Sequence, residues 1–125
     1  MKLLDSTLAI DYLRGREPAV TVLESTIDNG EWVGASEVVR FEVVAGAREE
    51  EVESIETFFS ALNWVPVDET ISRLAGLLAR RFRGSHTGVD APDYLIAATA
   101  LALDAELLTT NVRHFPMIEG LEAAY

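Results

Sequence analysis

The sequence predicts a parallel α/β domain, and three observations carry that prediction. Short apolar runs alternate with longer stretches of helical periodicity. The chain has 125 residues, 49% of them apolar and 25% charged, the size and balance of one globular domain. No repeat or low-complexity linker interrupts the alternation. A chain this long buries roughly two-thirds of the surface its unfolded form exposes, so it needs neither metal nor disulfide to hold a core. Cysteine is absent, in agreement with a reducing compartment. An acid arrives by residue 5, and the most apolar run, residues 95–103, is too short to cross a bilayer. The expected setting is soluble and cytoplasmic, without a membrane partner.

Residues 2–4 read as the first strand, after which Asp5, Ser6 and Thr7 offer side-chain oxygens to cap a helix carrying Leu8, Ile10, Tyr12 and Leu13. Gly15 stops that helix. Pro18 opens a second one ending at Asn29 and Gly30, and residues 32–35 form the next strand. Ser36 caps a third helix running to about Gly46. The spacing of Val52, Ile55, Phe59 and Leu62 predicts a fourth, whose first turn holds Glu49, Glu50, Glu51 and Glu53, as the helix dipole favours. Residues 64–67 make a third strand, and residues 68–82 a helix with Ile71, Leu74, Leu78 and Phe82 facing inward. A polar loop over 83–88, a helix over 91–103 and a strand over 107–109 complete the series, before an irregular stretch at 112–121.

Most of the acids need no special explanation; four positions do. Asp5 follows the first strand and Asn111 the last, and open parallel sheets bind ligands at the carboxyl ends of their strands. Taken alone, either residue is somewhat better explained as a cap or turn residue. Glu42 has Val38, Val39, Ala45 and Gly46 three and four residues away on its helix, so its carboxylate lies in the core or at its lip. Glu37, by contrast, sits in the first turn with Arg40 three residues on, a structural pairing. Asp93 shares its helix face with Ile96 and Ala97, whereas Asp90 is explained as the N-cap of that helix.

Carboxylates brought together repel one another unless a cation joins them, and Mg²⁺ or Mn²⁺ is the economical partner for an all-oxygen set. The chemistry then available is activation of a water for phosphodiester hydrolysis. No zinc-type Cys/His spacing and no phosphate-binding glycine loop is present, and His86 and His114 are too far apart in sequence to suggest a site.

At this point the residues resemble the PIN-domain ribonucleases, and among them the VapC-type toxins of bacterial toxin–antitoxin pairs. The resemblance runs through Leu4-Asp5-Ser6-Thr7, Ala35-Ser36-Glu37 with Phe41-Glu42-Val43-Val44-Ala45-Gly46, Asp93-Tyr94-Leu95-Ile96-Ala97-Ala98-Thr99-Ala100, and Leu108-Thr109-Thr110-Asn111-Val112-Arg113-His114-Phe115. Together these span essentially the whole chain as one PIN domain, residues 1–125. The resemblance implies a three-layer α/β/α sandwich around a parallel sheet and an acidic pocket that binds Mg²⁺ or Mn²⁺ and cleaves RNA endonucleolytically. Asp5 and Asp93 are then the metal-ligating acids, and Glu42 the third acid, acting directly or through water. Asn111 falls where the family carries a fourth Asp or an Asn, and Thr7 and Thr110 orient the carboxylates or a water. The expected partners are an RNA substrate, a second copy in a homodimer and a cognate VapB-type antitoxin that covers the pocket.

Twenty-one Asp and Glu against ten Lys and Arg give a net charge of −11, which excludes a broad basic face that coats nucleic acid. Of the few cations, Arg73, Arg80, Arg81 and Arg83 lie on one helix and its end. Two readings stand for them: pairing with the acids of residues 49–56, or contact with RNA, to which Arg83 and His86 of the polar loop belong. Two rivals to the nuclease also stand. One is Mg²⁺-dependent phosphotransfer or phosphatase chemistry with Asp5 as phospho-acceptor; against it, Lys2 is the only lysine and Thr7 replaces the phosphatase's second Asp. The other is a non-catalytic PIN-like binding module.

Overall fold

The computed structural model describes residues 1–125. Four parallel strands, β1 (Lys2–Leu4), β2 (Val33–Ser36), β3 (Asn63–Val65) and β4 (Glu106–Leu108), lie in the order β3-β2-β1-β4. The register sets Leu3 opposite Gly34 on one side and Leu107 on the other, with Ala35 opposite Trp64. The helices are α1 (Ser6–Leu13), α2 (Glu17–Asp28), α3 (Glu37–Ala45), α4 (Val52–Ser60), α5 (Glu69–Phe82) and α6 (Ala91–Leu103). No helix is long and apolar enough to cross a membrane.

The chain steps from β1 to β2 to β3 in one direction and then returns past β1 to β4. Right-handed crossovers therefore put α1 to α4 on one face of the sheet and α5 and α6 on the other. Packing agrees, with α1 against α2, α3 and α4, and α5 along α6. The three-layer sandwich is thus present. Leu3, Leu4, Leu8, Leu23, Ile96 and Phe115 are fully buried within it; each contributes about 1.5–3 kcal/mol relative to exposure.

Local signals place the elements close to where periodicity predicts them. Asp5, Ser36 and Asp68 cap α1, α3 and α5 through their side chains. Gly15 and Gly30, at φ 73° and 74°, take the left-handed conformation that ends α1 and α2. Strand β3 spans Asn63–Val65 rather than 64–67, because Pro66 has no N–H to extend the ladder. The acidic run opens as a 3-10 turn, Glu49–Glu51, before α4, with the Glu51 carboxylate accepting the Arg48 N–H at 2.8 Å. Arg40 is clamped by Glu37 at 2.6 and 3.1 Å and lies 4.0 Å over the Trp64 ring, so Glu37 has the structural role expected of it.

At the amino ends of the strands, Lys2 of β1 bonds Glu106 of β4 and lies near Glu31. The outer edge of β4 has no neighbouring strand. Residues 118–124 run beside it instead, and the Ala124 N–H donates to the Thr109 carbonyl at 2.9 Å.

Gly34 is the tightest point of the sheet. A Cβ there would stand 2.5 Å from the Asn63 carbonyl oxygen and strike the Trp32 ring. The backbone on one side cannot retreat without breaking the β2–β3 pairing. Gly34→Ala is expected to destabilise the fold by about 1–3 kcal/mol, the range for overpacking a filled interior; urea unfolding monitored by tryptophan fluorescence gives the value.

Candidate active site

The strand order reverses between β1 and β4, and the crevice beyond their carboxyl ends is where a doubly wound sheet binds ligands. Asp5 leaves β1 there. Its side chain is 3% exposed and its oxygens are held on both sides. Oδ1 accepts the Ser6 N–H at 2.8 Å and faces the Ser6 hydroxyl at 3.4 Å; Oδ2 accepts the hydroxyls of Thr7 at 3.0 Å and Thr109 at 2.7 Å. The Asp5 N–H continues the ladder to the Leu108 carbonyl at 3.0 Å. Thr7 thus donates to the Asp5 carboxylate from the first turn of α1.

The second orienting hydroxyl belongs to Thr109 and not, as the sequence reading had it, to Thr110. Thr109 is fully buried, and its Oγ1 also accepts the Asn111 N–H at 3.0 Å. Strand β4 ends at Leu108, one residue earlier than predicted, and side chains alternate faces along an extended chain. Thr110 is half-buried, and Asn111 is exposed at the mouth of the crevice.

Glu42 comes from α3. Its side chain is half-buried, and Oε1 is shut off from solvent with no hydrogen-bond partner. Burial pushes its carboxyl above the usual range, the Ser6 hydroxyl lowers it, and the charges of Asp5 and Asp90 raise it further. Asp93, in the first turn of α6, is 9% exposed. Burial raises its carboxyl to about 6; the Asp90 N–H, donating to Oδ2 at 3.2 Å, and His114 pull down while the Asp90 charge pushes up.

The acids thus form a string, Asp5 beside Glu42, Glu42 within the field of Asp90, and Asp90 beside Asp93. No three His, Asp or Glu side chains stand close enough to grip an ion by themselves. Two members were missed in the sequence. Asp90 caps α6 and also adds its charge to Glu42 and Asp93. His114, in the 3-10 turn Val112–His114 after β4, brings Nδ1 to 3.3 Å from Asp93 Oδ2. Only the topology brings it there.

The donor set suits a hard divalent cation. It is all oxygen, it keeps carboxylates half-desolvated against their own repulsion, and it leaves Glu42 Oε1 with no partner among the protein's groups. His86 and Arg83 lie exposed in the loop before Asp90, with His86 Nδ1 2.9 Å from Ser85 Oγ. Glu50 and Glu51 pair with Arg48 and Arg73 pairs with Glu69, leaving Arg80, Arg81 and Arg83 outside any ion pair.

Against known proteins, the PIN domain model matches residues 2–120. The chain belongs to the PIN-domain family. It is 57% identical over its whole length, and that of the relative, to Ribonuclease VapC19 of Mycobacterium tuberculosis. It is 38% identical to Ribonuclease VapC10 of the same organism, over all of this chain and 93% of the relative. Among solved structures, this PIN domain resembles a toxin–antitoxin complex chain from Klebsiella pneumoniae (TM-score 0.82, 26% identity, 100% and 98% of the two chains covered). It also shares the fold of DNA-bound VapBC from Salmonella typhimurium (TM-score 0.84, 22% identity, 99% and 98% covered).

The raised Asp93 carboxyl is a charge held against the fold. A carboxyl whose folded value lies above its unfolded one binds more protons in the native state, so stability falls as pH rises from about 4 to about 6. Asp93→Asn keeps an acceptor for the Asp90 N–H and removes the charge. It is expected to be about 1 kcal/mol more stable than the parent above pH 6, with the gap closing below about pH 4. Thermal melts across that range measure it.

Proposed function

We propose that this PIN domain is a metal-dependent endoribonuclease and the toxin of a VapBC-type pair, with Asp5, Glu42, Asp93 and Asn111 at its reacting centre. The observation that carries the reading is the string of desolvated carboxylates at the sheet's switch point, in a chain 57% identical to a protein named as a ribonuclease. Asp5, Asp93 and Glu42 are the residues that would hold Mg²⁺ or Mn²⁺. When bound, such an ion activates a water and neutralises charge building on the phosphate.

The chain's own groups do the rest. Asp5 is locked by its four donors, so it presents a fixed oxygen edge without reorganising during the reaction. Glu42 keeps its Oε1 free of any protein hydrogen bond, which leaves that oxygen for an ion or for a water held by one. His114 beside Asp93 places an imidazole at the same lip. The unpaired Arg80, Arg81 and Arg83, with Arg113 next to His114, offer phosphate contacts from the last turn of α5, its end and the turn after β4. Phosphotransfer to Asp5 is the weaker reading, because the chain's one lysine, Lys2, bonds Glu106 at the amino ends of the strands and not in the crevice.

An antitoxin and a second copy are the protein partners this reading requires. Phe41 and Val44 of α3 and Val52 of α4 are apolar and exposed, and the acidic turn of residues 49–51 borders them. That combination suits a partner segment with apolar and basic residues.

The test uses purified protein and total RNA. Cleavage is expected with Mg²⁺ or Mn²⁺, is abolished by EDTA, and falls at least about 100-fold in Asp5→Asn and in Asp93→Asn; cleavage that survives both treatments sinks the proposal. Arg83→Ala combined with Arg113→Ala is expected to raise KM and to flatten its dependence on salt by about two phosphate contacts, with kcat little changed. Initial rates at several salt concentrations decide that point.

A further inference from the structure

Residues 121–125 have no regular secondary structure, yet two hydrogen bonds fasten them across the molecule. The Ala124 N–H donates to the Thr109 carbonyl at 2.9 Å, and the Tyr125 hydroxyl donates to Asp11 Oδ2 at 2.6 Å. Asp11 is on α1, with only 17% of its side chain exposed, and its other oxygen is 3.5 Å from Arg16 Nε. The segment therefore ties the end of β4 to α1. The Thr109 hydroxyl ties the same two parts together by bonding Asp5 at the start of α1.

These two links run in parallel. Thr109 is gripped at its carbonyl by Ala124 and at its hydroxyl by Asp5 and the Asn111 N–H. Strand β4 spans three residues and pairs on one side only, so little else in the sheet sets where Thr109 lies. A short bond from a phenol to a carboxylate is a charge-assisted one and stronger than a neutral pair. Partial burial, the bond to Asp11 and the Asp11 charge push the Tyr125 phenol up to about 12, so it remains a donor throughout the physiological range.

We propose that residues 121–125 form a positioning strap, latched by Tyr125 on Asp11, that holds Thr109 against Asp5 and so sets the orientation of the candidate metal-ligating carboxylate. Tyr125 and Asp11 are positioning residues, since neither touches the acids of the crevice. The inference rests on the metal-dependent reading of that crevice, and the measurements below separate the two.

The experiment uses the full chain with Tyr125→Phe, Asp11→Ala, the double variant and Asp11→Asn, which retains an acceptor for the phenol. Hydrogen exchange at the Asn111 amide reports the Thr109 hydroxyl directly, Mn²⁺ titration followed by electron paramagnetic resonance reports the carboxylate site without RNA, and kcat and KM are measured with RNA. Tyr125→Phe and Asp11→Ala are each expected to speed Asn111 exchange, weaken Mn²⁺ binding and lower kcat, all by about three- to tenfold, as loss of one hydrogen bond implies, with KM unchanged. The double variant is expected to be no worse than either single one, and Asp11→Asn to stay within about twofold of the parent. A melting temperature that falls while Asn111 exchange and Mn²⁺ affinity stay at parental values overturns the strap, as do additive losses in the double variant. Failure of the parent to cleave RNA overturns the ribonuclease reading alone, because Asn111 exchange still decides whether Tyr125 acts on Thr109.

Discussion

The Asp5 carboxylate is where the sheet, the first helix and the last strand meet. Its N–H closes the ladder to β4, its Oδ1 caps α1, and its Oδ2 takes hydroxyls from both α1 and the residue following β4. A buried carboxylate is costly to desolvate, and four donors offset that cost only if β1, α1 and β4 keep their relative positions. The 3-2-1-4 strand order supplies this arrangement, since it makes β4 the neighbour of β1 and leaves a crevice between their ends. Fold and site share one constraint.

The remaining acids are held differently. Asp5 is satisfied; Glu42 and Asp93 are strained, with burial and neighbouring charge raising both carboxyls. A protein selected for stability alone would place neutral or apolar groups at these two positions, as it does around them on α3 and α6. Concentrating unsatisfied negative charge at one lip is the pattern of a site that trades stability for function. The net charge of −11 takes on a sharper meaning in this light. It rules out a coating of nucleic acid, while Arg80, Arg81, Arg83 and Arg113, none of them in an ion pair, sit on α5, at its end and in the turn after β4.

Much of this was legible before the structure. Periodicity located every helix, helped at most of them by a cap or breaker such as Asp5, Gly15, Pro18, Gly30, Ser36 and Asp90, whereas α4 has no side-chain cap and was marked by the spacing of Val52, Ile55 and Phe59 alone. The stripe Val38, Val39, Ala45, Gly46 marked Glu42 as misplaced on a purely structural view, and its buried, unpartnered Oε1 is the physical counterpart. What failed was resolution along the strands. Ending β4 one residue late exchanged Thr109 for Thr110, because side chains alternate and two adjacent threonines differ only in which face they take. His114 was invisible for another reason: it lies 21 residues beyond Asp93, and only the pairing of β4 with β1 returns the chain to the start of α6. Asp90 was read as a cap, which it is, but its effect on Glu42 acts through space.

Lys2 has a practical consequence of its own. It carries the chain's one ε-amine, and it sits at the amino ends of β1 and β4 beside Glu106 and Glu31, three residues and about 10 Å of extended chain from Asp5. All the other fixed side-chain cations are guanidinium groups, which amine-selective reagents do not touch. Side-chain acylation or immobilisation through that amine therefore attaches the molecule by the end of its sheet remote from the crevice, presenting every copy with its acids facing outward.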